Sequence, residues 1–197
     1  MNKRILAALL AVLAGSLAFS VHADDAWTPD STHLSLEAGL AAGGDKLFGY
    51  IDTNGDSHSL HAGDSLFSDV GVQHNFGDSA WSLRASAGFS VWGESFKTPT
   101  NGDVNVTFVY LPVNLLGIYS VGNNHFGAGL AVHVAPKLDM DGLAPNVDFK
   151  TAAGLVLQYQ YWLFGVRYTA IRYSADCSYC SGSVSGNSLG VFFNYVF

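Results

Sequence analysis

The chain has 197 residues, of which 49% are hydrophobic and only 13% are charged, and its formal net charge is −7. An acidic chain argues against nucleic-acid binding, which needs a basic face. After the N-terminal stretch the sequence has no run of about 18 uninterrupted apolar residues, which excludes a transmembrane helix. The length is that of a single domain.

The N-terminus has the pattern of a secretory signal peptide. Lys3 and Arg4 precede an apolar stretch, and Val21-His22-Ala23 has the small-x-small pattern of a cleavage site. We therefore expect residues 1–23 to be a signal peptide, residues 24–32 to be a short periplasmic segment and residues 33–197 to be the folded domain.

From His33 onward the apolar and polar residues alternate, as in strands with two different faces. In the third segment, for example, Trp81 and Leu83 share a face opposite Ser82 and Arg84. The polar faces are rich in Gly, Ser, Gln and isolated charges, which suits a crowded polar interior better than a wet surface. Eight segments follow the pattern, at residues 33–43, 60–76, 81–95, 104–120, 125–138, 147–162, 163–174 and 187–197.

The connections between the segments alternate in length. Long polar connections follow the first, third, fifth and seventh segments, and short ones follow the second, fourth and sixth. Bacterial outer-membrane barrels have an even strand number, long loops on one rim and tight turns on the other. In a bilayer every backbone polar group must be paired, so the sheet must close. The sequence therefore predicts an all-β fold, an eight-stranded antiparallel up-and-down transmembrane β-barrel.

Pro112 leaves the facing of the fourth segment open. Proline lacks a backbone donor, so we predict a bulge near one rim at this position. Two sets of residues compete for the lipid-facing side of this segment, namely Val109, Leu111 and Val113 or Val106, Phe108 and Tyr110.

The signal-peptide pattern, the eight amphipathic segments and the terminal Phe197, with Tyr195 two residues before it, resemble the small outer-membrane β-barrel proteins of Gram-negative bacteria. This is the group of the OmpA transmembrane domain, OmpX and OmpW, and the resemblance covers roughly residues 31–197. It implies a monomer in the outer membrane, with outer-membrane lipids and lipopolysaccharide as partners. It also implies that Tyr195 and Phe197 are the signal read by the barrel-assembly machinery.

The interior of an eight-stranded barrel is filled by side chains or holds one small ligand. The alternation predicts that Glu37, Arg84, Asp148, Lys150 and Arg167 point inward. Because buried charges must be paired, we expect a polar network that fills the lumen. The alternative is a narrow conduit for small solutes or a site for hydrophobic ligands.

A lipid-modifying enzyme is the second alternative. The stretch Arg172-Tyr173-Ser174 resembles the His-x-Ser pattern of lipid A deacylases, with arginine in place of histidine. A serine without a neighbouring base is not an activated nucleophile. We therefore predict no catalytic residues and a non-enzymatic role, either structural or in contact with other components of the envelope.

Cys177 and Cys180 lie in the fourth long connection, and in an exported chain such a pair is interpreted first as a disulfide. His58 and His61 lie near the first long connection. A spacing of three puts two side chains on opposite faces of a strand. We therefore predict no metal site and no cofactor.

Overall fold

The computed structural model describes residues 30–51, 55, 57–98, 102–176 and 182–197. Thirteen strands lie within these residues. The described part of the chain contains no helix that is long and apolar enough to cross a membrane. The predicted signal peptide, residues 24–29 of the predicted periplasmic segment, and Cys177 and Cys180 lie outside the described residues. The signal peptide and the disulfide therefore stay predictions.

Eight of these strands form a closed antiparallel barrel, which confirms the predicted fold class. Each strand pairs with the next barrel strand along the chain, and the last pairs with the first, where Glu37 lies opposite Asn194. The eight barrel strands are β1 (Thr32–Ala42), β4 (Ser65–Asn75), β5 (Trp81–Thr98), β6 (Gly102–Val121), β7 (Asn124–Asp139), β9 (Ala152–Tyr161), β10 (Phe164–Ala170) and β13 (Ser188–Val196).

The two ends of the barrel differ. One end, the turn rim, carries the short connections 76–80, 122–123 and 162–163. The other end, the loop rim, carries the long connections, and further short strands lie within three of them. These strands are β2 (Lys46–Ile51) and β3 (Ser57–His61), which form a hairpin, β8 (Val147–Asp148), which extends the sheet beside β7, and β11 (Arg172–Ser174) and β12 (Ser183–Ser185), which form a second hairpin.

The outer surface of the barrel is apolar over a wide band. Large aliphatic and aromatic side chains on all eight strands are exposed, whereas the side chains that alternate with them point into the lumen. We call this band the apolar belt. It includes Leu34, Leu40, Val70, Val72, Leu83, Phe89, Leu111, Val113, Leu115, Leu130, Leu155, Leu157, Val166, Leu189 and Val191.

Exposed aromatic side chains are concentrated at the turn-rim edge of the belt. Two pairs are in contact across neighbouring strands: the ring centroids of Trp81 and Tyr119 are 5.0 Å apart, and those of Phe126 and Tyr159 are 5.2 Å apart. Amphipathic rings of this kind are enriched where a bilayer meets water. The others at this edge are Phe76, Tyr161, Trp162 and Phe164.

Three predicted segments are too long. The sixth is predicted at 147–162, but β9 begins at Ala152, and β8 covers only Val147–Asp148. The second was predicted at 60–76, but β4 begins at Ser65, and Leu60 belongs to the β2–β3 hairpin. The seventh was predicted at 163–174, but β10 ends at Ala170, and the next three-residue strand pairs with β12 instead. At the second and seventh segments the chain leaves the barrel to form a loop hairpin. Between β3 and β4 the alternation of buried residues also shifts by one, because Ala62 and Gly63 are both buried.

The predicted bulge does not lie at Pro112. The register shift falls between Val109 and Leu111 of β6, where the partner strand carries Ala135, whose φ is 48°, and Pro136. Pro112 points inward and keeps the alternation, so β6 has one facing throughout. Leu111 and Val113 face outward, and Val106, Phe108 and Tyr110 face inward.

Candidate functional site

Arg167 lies at the centre of a buried polar network in the lumen. Its Nη2 is 2.7 Å from Oε1 of Glu37 and donates a hydrogen bond to Gln158 Oε1 at 2.7 Å. Its Nη1 is 3.9 Å from Oδ2 of Asp69. One guanidinium therefore contacts two carboxylates that come from two other strands.

The position of this arginine follows from the strand register. Glu37 on β1 lies directly opposite Asp69 on β4, and both are almost fully buried. Like charges that face each other across a strand pair repel, and buried charges are costly unless they are paired. The Arg167 guanidinium offsets both costs. Asn114 also donates a hydrogen bond to Asp69 Oδ2 at 3.1 Å.

A second arginine completes the network on the side of the turn rim. Arg84 donates from Nε and Nη2 to Gln73 Oε1, at 3.0 and 2.7 Å. Its Nη1 is 3.6 Å from Glu37 Oε2. The lumen network therefore has two cations and two anions, and it joins strands β1, β4, β5, β6, β9 and β10 across the lumen.

Two phenylalanines fix the plane of the central guanidinium. Arg167 Cζ lies 5.5 Å from the ring centroid of Phe67 and 5.2 Å from that of Phe192, so the cation is in cation–π contact with both rings. Glycines make room for these rings. A Cβ atom at Gly39 would lie 2.5 Å from the Phe67 ring, and one at Gly165 would lie 2.4 Å from the Phe192 ring.

A cavity of about 30 Å³ lies on the loop-rim side of the network. A cavity of this size is large enough to hold water. Asp69 and Arg167 line it from the network, and Tyr110 and His133 line it from the opposite side. These two rings are stacked, with centroids 4.1 Å apart and planes at 14°.

Above the cavity, toward the loop rim, the interior becomes apolar. We call this cluster the apolar cap. The loops and the ends of β5 and β6 contribute to it, so it covers the lumen from above. Phe108 is fully buried in it, and its ring contacts those of Phe149 and Tyr173 at 5.9 and 5.6 Å. The buried members are Leu60, Ala62, Phe96, Val104, Val106, Phe108, Tyr110, Leu138, Phe149, Ala152, Ile171 and Tyr173.

The loops are attached to this cap and to one another. Tyr50 of the first loop stacks on Phe96 with centroids 4.4 Å apart. The backbone N–H of Asp45 donates to Ser185 O, and the Ser185 N–H donates to Asp45 Oδ2, both at 2.7 Å. The first and fourth loops therefore form one connected surface over the cap.

Tyr173 links the fourth loop to the barrel wall. Its hydroxyl shares a 2.6 Å hydrogen bond with Nδ1 of His133. Burial raises the pKa of the Tyr173 phenol above its usual range, and the neighbouring Tyr110 raises it further. The phenol therefore stays protonated, which keeps this hydrogen bond in place at physiological pH.

The structure brings together three of the five residues predicted to point inward and places the other two elsewhere. Glu37, Arg84 and Arg167 meet in the lumen network, but Asp148 and Lys150 are exposed at the loop rim, so their predicted placement is wrong. The reason is local. Lys150 and Thr151 are both exposed, which shifts the alternation by one residue and turns Phe149 into the cap.

Sequence reasoning missed four members of the network. Asp69 and Gln73 alternate with Val70 and Val72. The alternation within the second segment therefore predicts that both residues point inward. Gln158 alternates with Leu157 and Tyr159, so its inward facing follows from the same alternation, but its partner Arg167 does not. Asn114 was hidden by the open facing around Pro112, although the structure shows that the facing never changes.

The other candidate sites are not assembled. Arg172-Tyr173-Ser174 forms β11, and only its middle residue points inward. Within the described residues no hydrogen bond joins the Ser174 hydroxyl to a histidine, and the resemblance to lipid A deacylases has no support. No group of three or more His, Cys, Asp or Glu side chains that could hold a metal ion occurs in the described ranges.

Three solved structures similar to this chain are of Ail, the attachment invasion locus protein of Yersinia pestis. The complex of Ail with the heparin analogue sucrose octasulfate has 13% identity and a TM-score of 0.48, and the match covers 85% of this chain and 100% of that chain. A second crystal structure has 11% identity and a TM-score of 0.40, with the same coverage. The backbone structure of Ail in a phospholipid bilayer nanodisc has 13% identity and a TM-score of 0.37, and covers 84% and 100%.

No protein-family model and no curated protein matches the chain. Identities and TM-scores as low as those of the Ail structures carry no argument about function or partners. The proposals that follow therefore rest on the geometry of this chain.

Proposed function

We propose that this chain is a non-enzymatic, integral outer-membrane β-barrel protein whose filled lumen carries no solute and whose loop-rim surface contacts components of the envelope. The observation that carries the proposal is the apolar belt around a closed barrel. Large exposed apolar patches are rare on soluble proteins. A closed barrel with an apolar outside and a polar inside is the β-structure that a bilayer accepts.

The orientation in the membrane follows from the difference between the rims. In barrels of this kind the short turns lie in the periplasm and the longer loops lie outside the cell. The loop surface joined through Asp45 and Ser185 would then face the exterior. Its described residues are packed on the apolar cap, which suits this surface to contacts with other molecules.

The filled interior supports a structural or interaction role over a conduit. The lumen network and the apolar cap lie one above the other with only a small cavity between them, and each fills the lumen at its own level. Ser174, which is exposed and has no hydrogen bond to a histidine in the described residues, likewise supports a non-enzymatic role over a hydrolase.

Membrane insertion is tested with a charge on the belt. Leu115→Arg places a cation near the middle of the outward face of β6, where the cost is about 2–4 kcal/mol. We expect the parent chain to insert into phosphatidylcholine vesicles and to migrate differently with and without boiling on a gel. The Leu115→Arg variant should insert poorly. Ile51→Arg, at an exposed loop position, is the matched control and should behave like the parent. Identical migration of boiled and unboiled parent chain would contradict the barrel proposal.

Closure of the lumen is tested by planar-bilayer recording. We expect no single-channel current from the parent chain, because the charge-paired network and the cap leave no continuous aqueous path. The heat-modifiable fraction of the same sample verifies that folded protein was added. Reproducible current steps from that folded fraction would instead favour the conduit.

A further inference from the structure

We propose that Lys137, Lys150 and Arg172 form a basic band that binds the anionic phosphate headgroups of lipids in the leaflet at the loop rim. This inference rests on the membrane insertion proposed above. It adds a specific binding surface, with a stated ligand chemistry, on the outer wall of β7, β8 and β11.

The three cations lie just above the apolar belt. Lys137 is near the loop-rim end of β7, Lys150 precedes β9 and Arg172 is the first residue of β11. All three point away from the lumen, since the neighbouring Leu138, Phe149 and Tyr173 are the ones buried in the cap. Below them on the same wall the exposed residues are apolar, as at Leu130, Leu155 and Tyr168. The band therefore lies at the level where headgroups would begin.

The strand register places the three cations side by side. Lys137 lies opposite Asp148 on β8. Phe149 forms an antiparallel bridge with Ala175, and the Lys150 N–H donates to Ser174 O at 2.9 Å. Lys150 is therefore diagonal to Lys137 on one side and to Arg172 on the other, and diagonal neighbours on one sheet face lie roughly 7–8 Å apart.

None of the three cations has a partner in the described part of the chain. No hydrogen bond or ion pair shorter than 4.0 Å involves their side chains, although Asp148 and Asp176 lie on the same wall. By contrast, both lumen arginines are paired. Lys150 and Arg172 are exposed and Lys137 is partly exposed. An arginine and two lysines that are adjacent and unpaired match a phosphate headgroup, which takes bidentate hydrogen bonds from a guanidinium and a point charge from an ammonium.

The described cations outside the lumen all lie at one end of the barrel. In the described ranges every lysine and arginine outside the lumen lies at the loop-rim end, and the turn rim has aromatic side chains but no such cation. Basic residues beside a bilayer are attracted to anionic lipids, and salt weakens the attraction. The loop rim also carries carboxylates, namely Asp45, Asp64, Glu94, Asp139, Asp141, Asp148 and Asp176. The expected attraction is therefore local to the three neighbouring cations of the band and does not come from the net charge of the rim.

The test measures binding of phosphatidylglycerol. The chain is first inserted into phosphatidylcholine vesicles and checked for heat-modifiable migration, so a failure at this stage counts against the barrel proposal and not against the band. The inserted protein is then extracted in a neutral detergent, and retained lipid is counted by native mass spectrometry during titration with phosphatidylglycerol or phosphatidylcholine. We expect selective retention of phosphatidylglycerol.

Variants decide whether the band is responsible. The Lys150→Gln/Arg172→Gln variant should bind phosphatidylglycerol roughly tenfold more weakly or worse. The Lys46→Gln/Lys97→Gln variant also removes two positive charges, but from loop-rim positions outside the band. It should bind phosphatidylglycerol like the parent chain. Asp148→Asn should strengthen binding, because it removes an anion from the band.

Three results would overturn the proposal. One is equal retention of the two lipids by the parent chain. Another is an equal loss in both double variants, which would indicate a general effect of net charge. The third is displacement of phosphatidylglycerol by an equal concentration of inorganic phosphate, which would indicate a site for a free anion rather than for a lipid.

Discussion

Replacing Arg167 with methionine is expected to lower the free energy of unfolding by about 3–5 kcal/mol, the cost of breaking a buried ion pair by removing one partner. Without the guanidinium, Glu37 and Asp69 face each other across β1 and β4 at 4% and 2% exposure. Two buried carboxylates in such a position repel each other. Urea titration of the vesicle-inserted protein measures the effect.

Two further variants separate this mechanism from a general loss of packing. Asp69→Asn/Arg167→Met removes one of the opposing charges and leaves Glu37 beside Arg84, so it should recover much of the lost stability. Lys97→Met removes an exposed cation from the end of β5 and should change stability by no more than about 0.5 kcal/mol. If Arg167→Met were as stable as Lys97→Met, the lumen network would not be needed for stability.

Replacing Phe108 with alanine is the second change with a large expected effect. Phe108 is 0% exposed and contacts three aromatic rings of the apolar cap, so its removal leaves a cavity and should cost about 3–5 kcal/mol. Because the loops are packed on the cap, we also expect faster protease cleavage in the loops while the barrel stays intact. Urea titration and limited proteolysis measure the two effects.

Phe89→Ala is the matched control for this variant. Phe89 lies on the outward face of β5 at 51% exposure, where lipid would fill the space left by the ring. It should leave loop cleavage at the parent rate. Equal loop cleavage in the two variants would show that the cap does not hold the loops in place.

The barrel was predictable from the sequence because outward-facing and inward-facing residues alternate along the membrane-facing part of all eight strands. Arg84 and Arg167 lie within uninterrupted alternation, so their inward facing could be predicted before their partners were known. Asp148 and Lys150 could not be placed correctly, since two consecutive exposed residues at Lys150 and Thr151 shift the period, and nothing in their side chains marks that shift.

The apolar cap could not be predicted, for a different reason. On β6 the outward residues Leu111 and Val113 are apolar within the belt, whereas above it the inward residues Val106 and Phe108 are apolar. Within the belt, the inward residues Leu116 and Ile118 are apolar as well. Apolar residues of this strand therefore lie on both of its faces. A pattern that equates apolar with lipid-facing cannot assign a facing to such a strand, which is why the facing around Pro112 looked ambiguous.

The pairing of Glu37 with Arg167 has a consequence for how the barrel forms. Glu37 is on the first barrel strand and Arg167 is on the seventh, and the eighth strand, β13, lies between them and pairs with both. Until β13 pairs with β1 and β10, Glu37 and Arg167 cannot contact each other, and both charges must remain solvated. Closure therefore completes the backbone ladder and the charge pairing in one event, which makes a half-open barrel unfavourable and assembly cooperative.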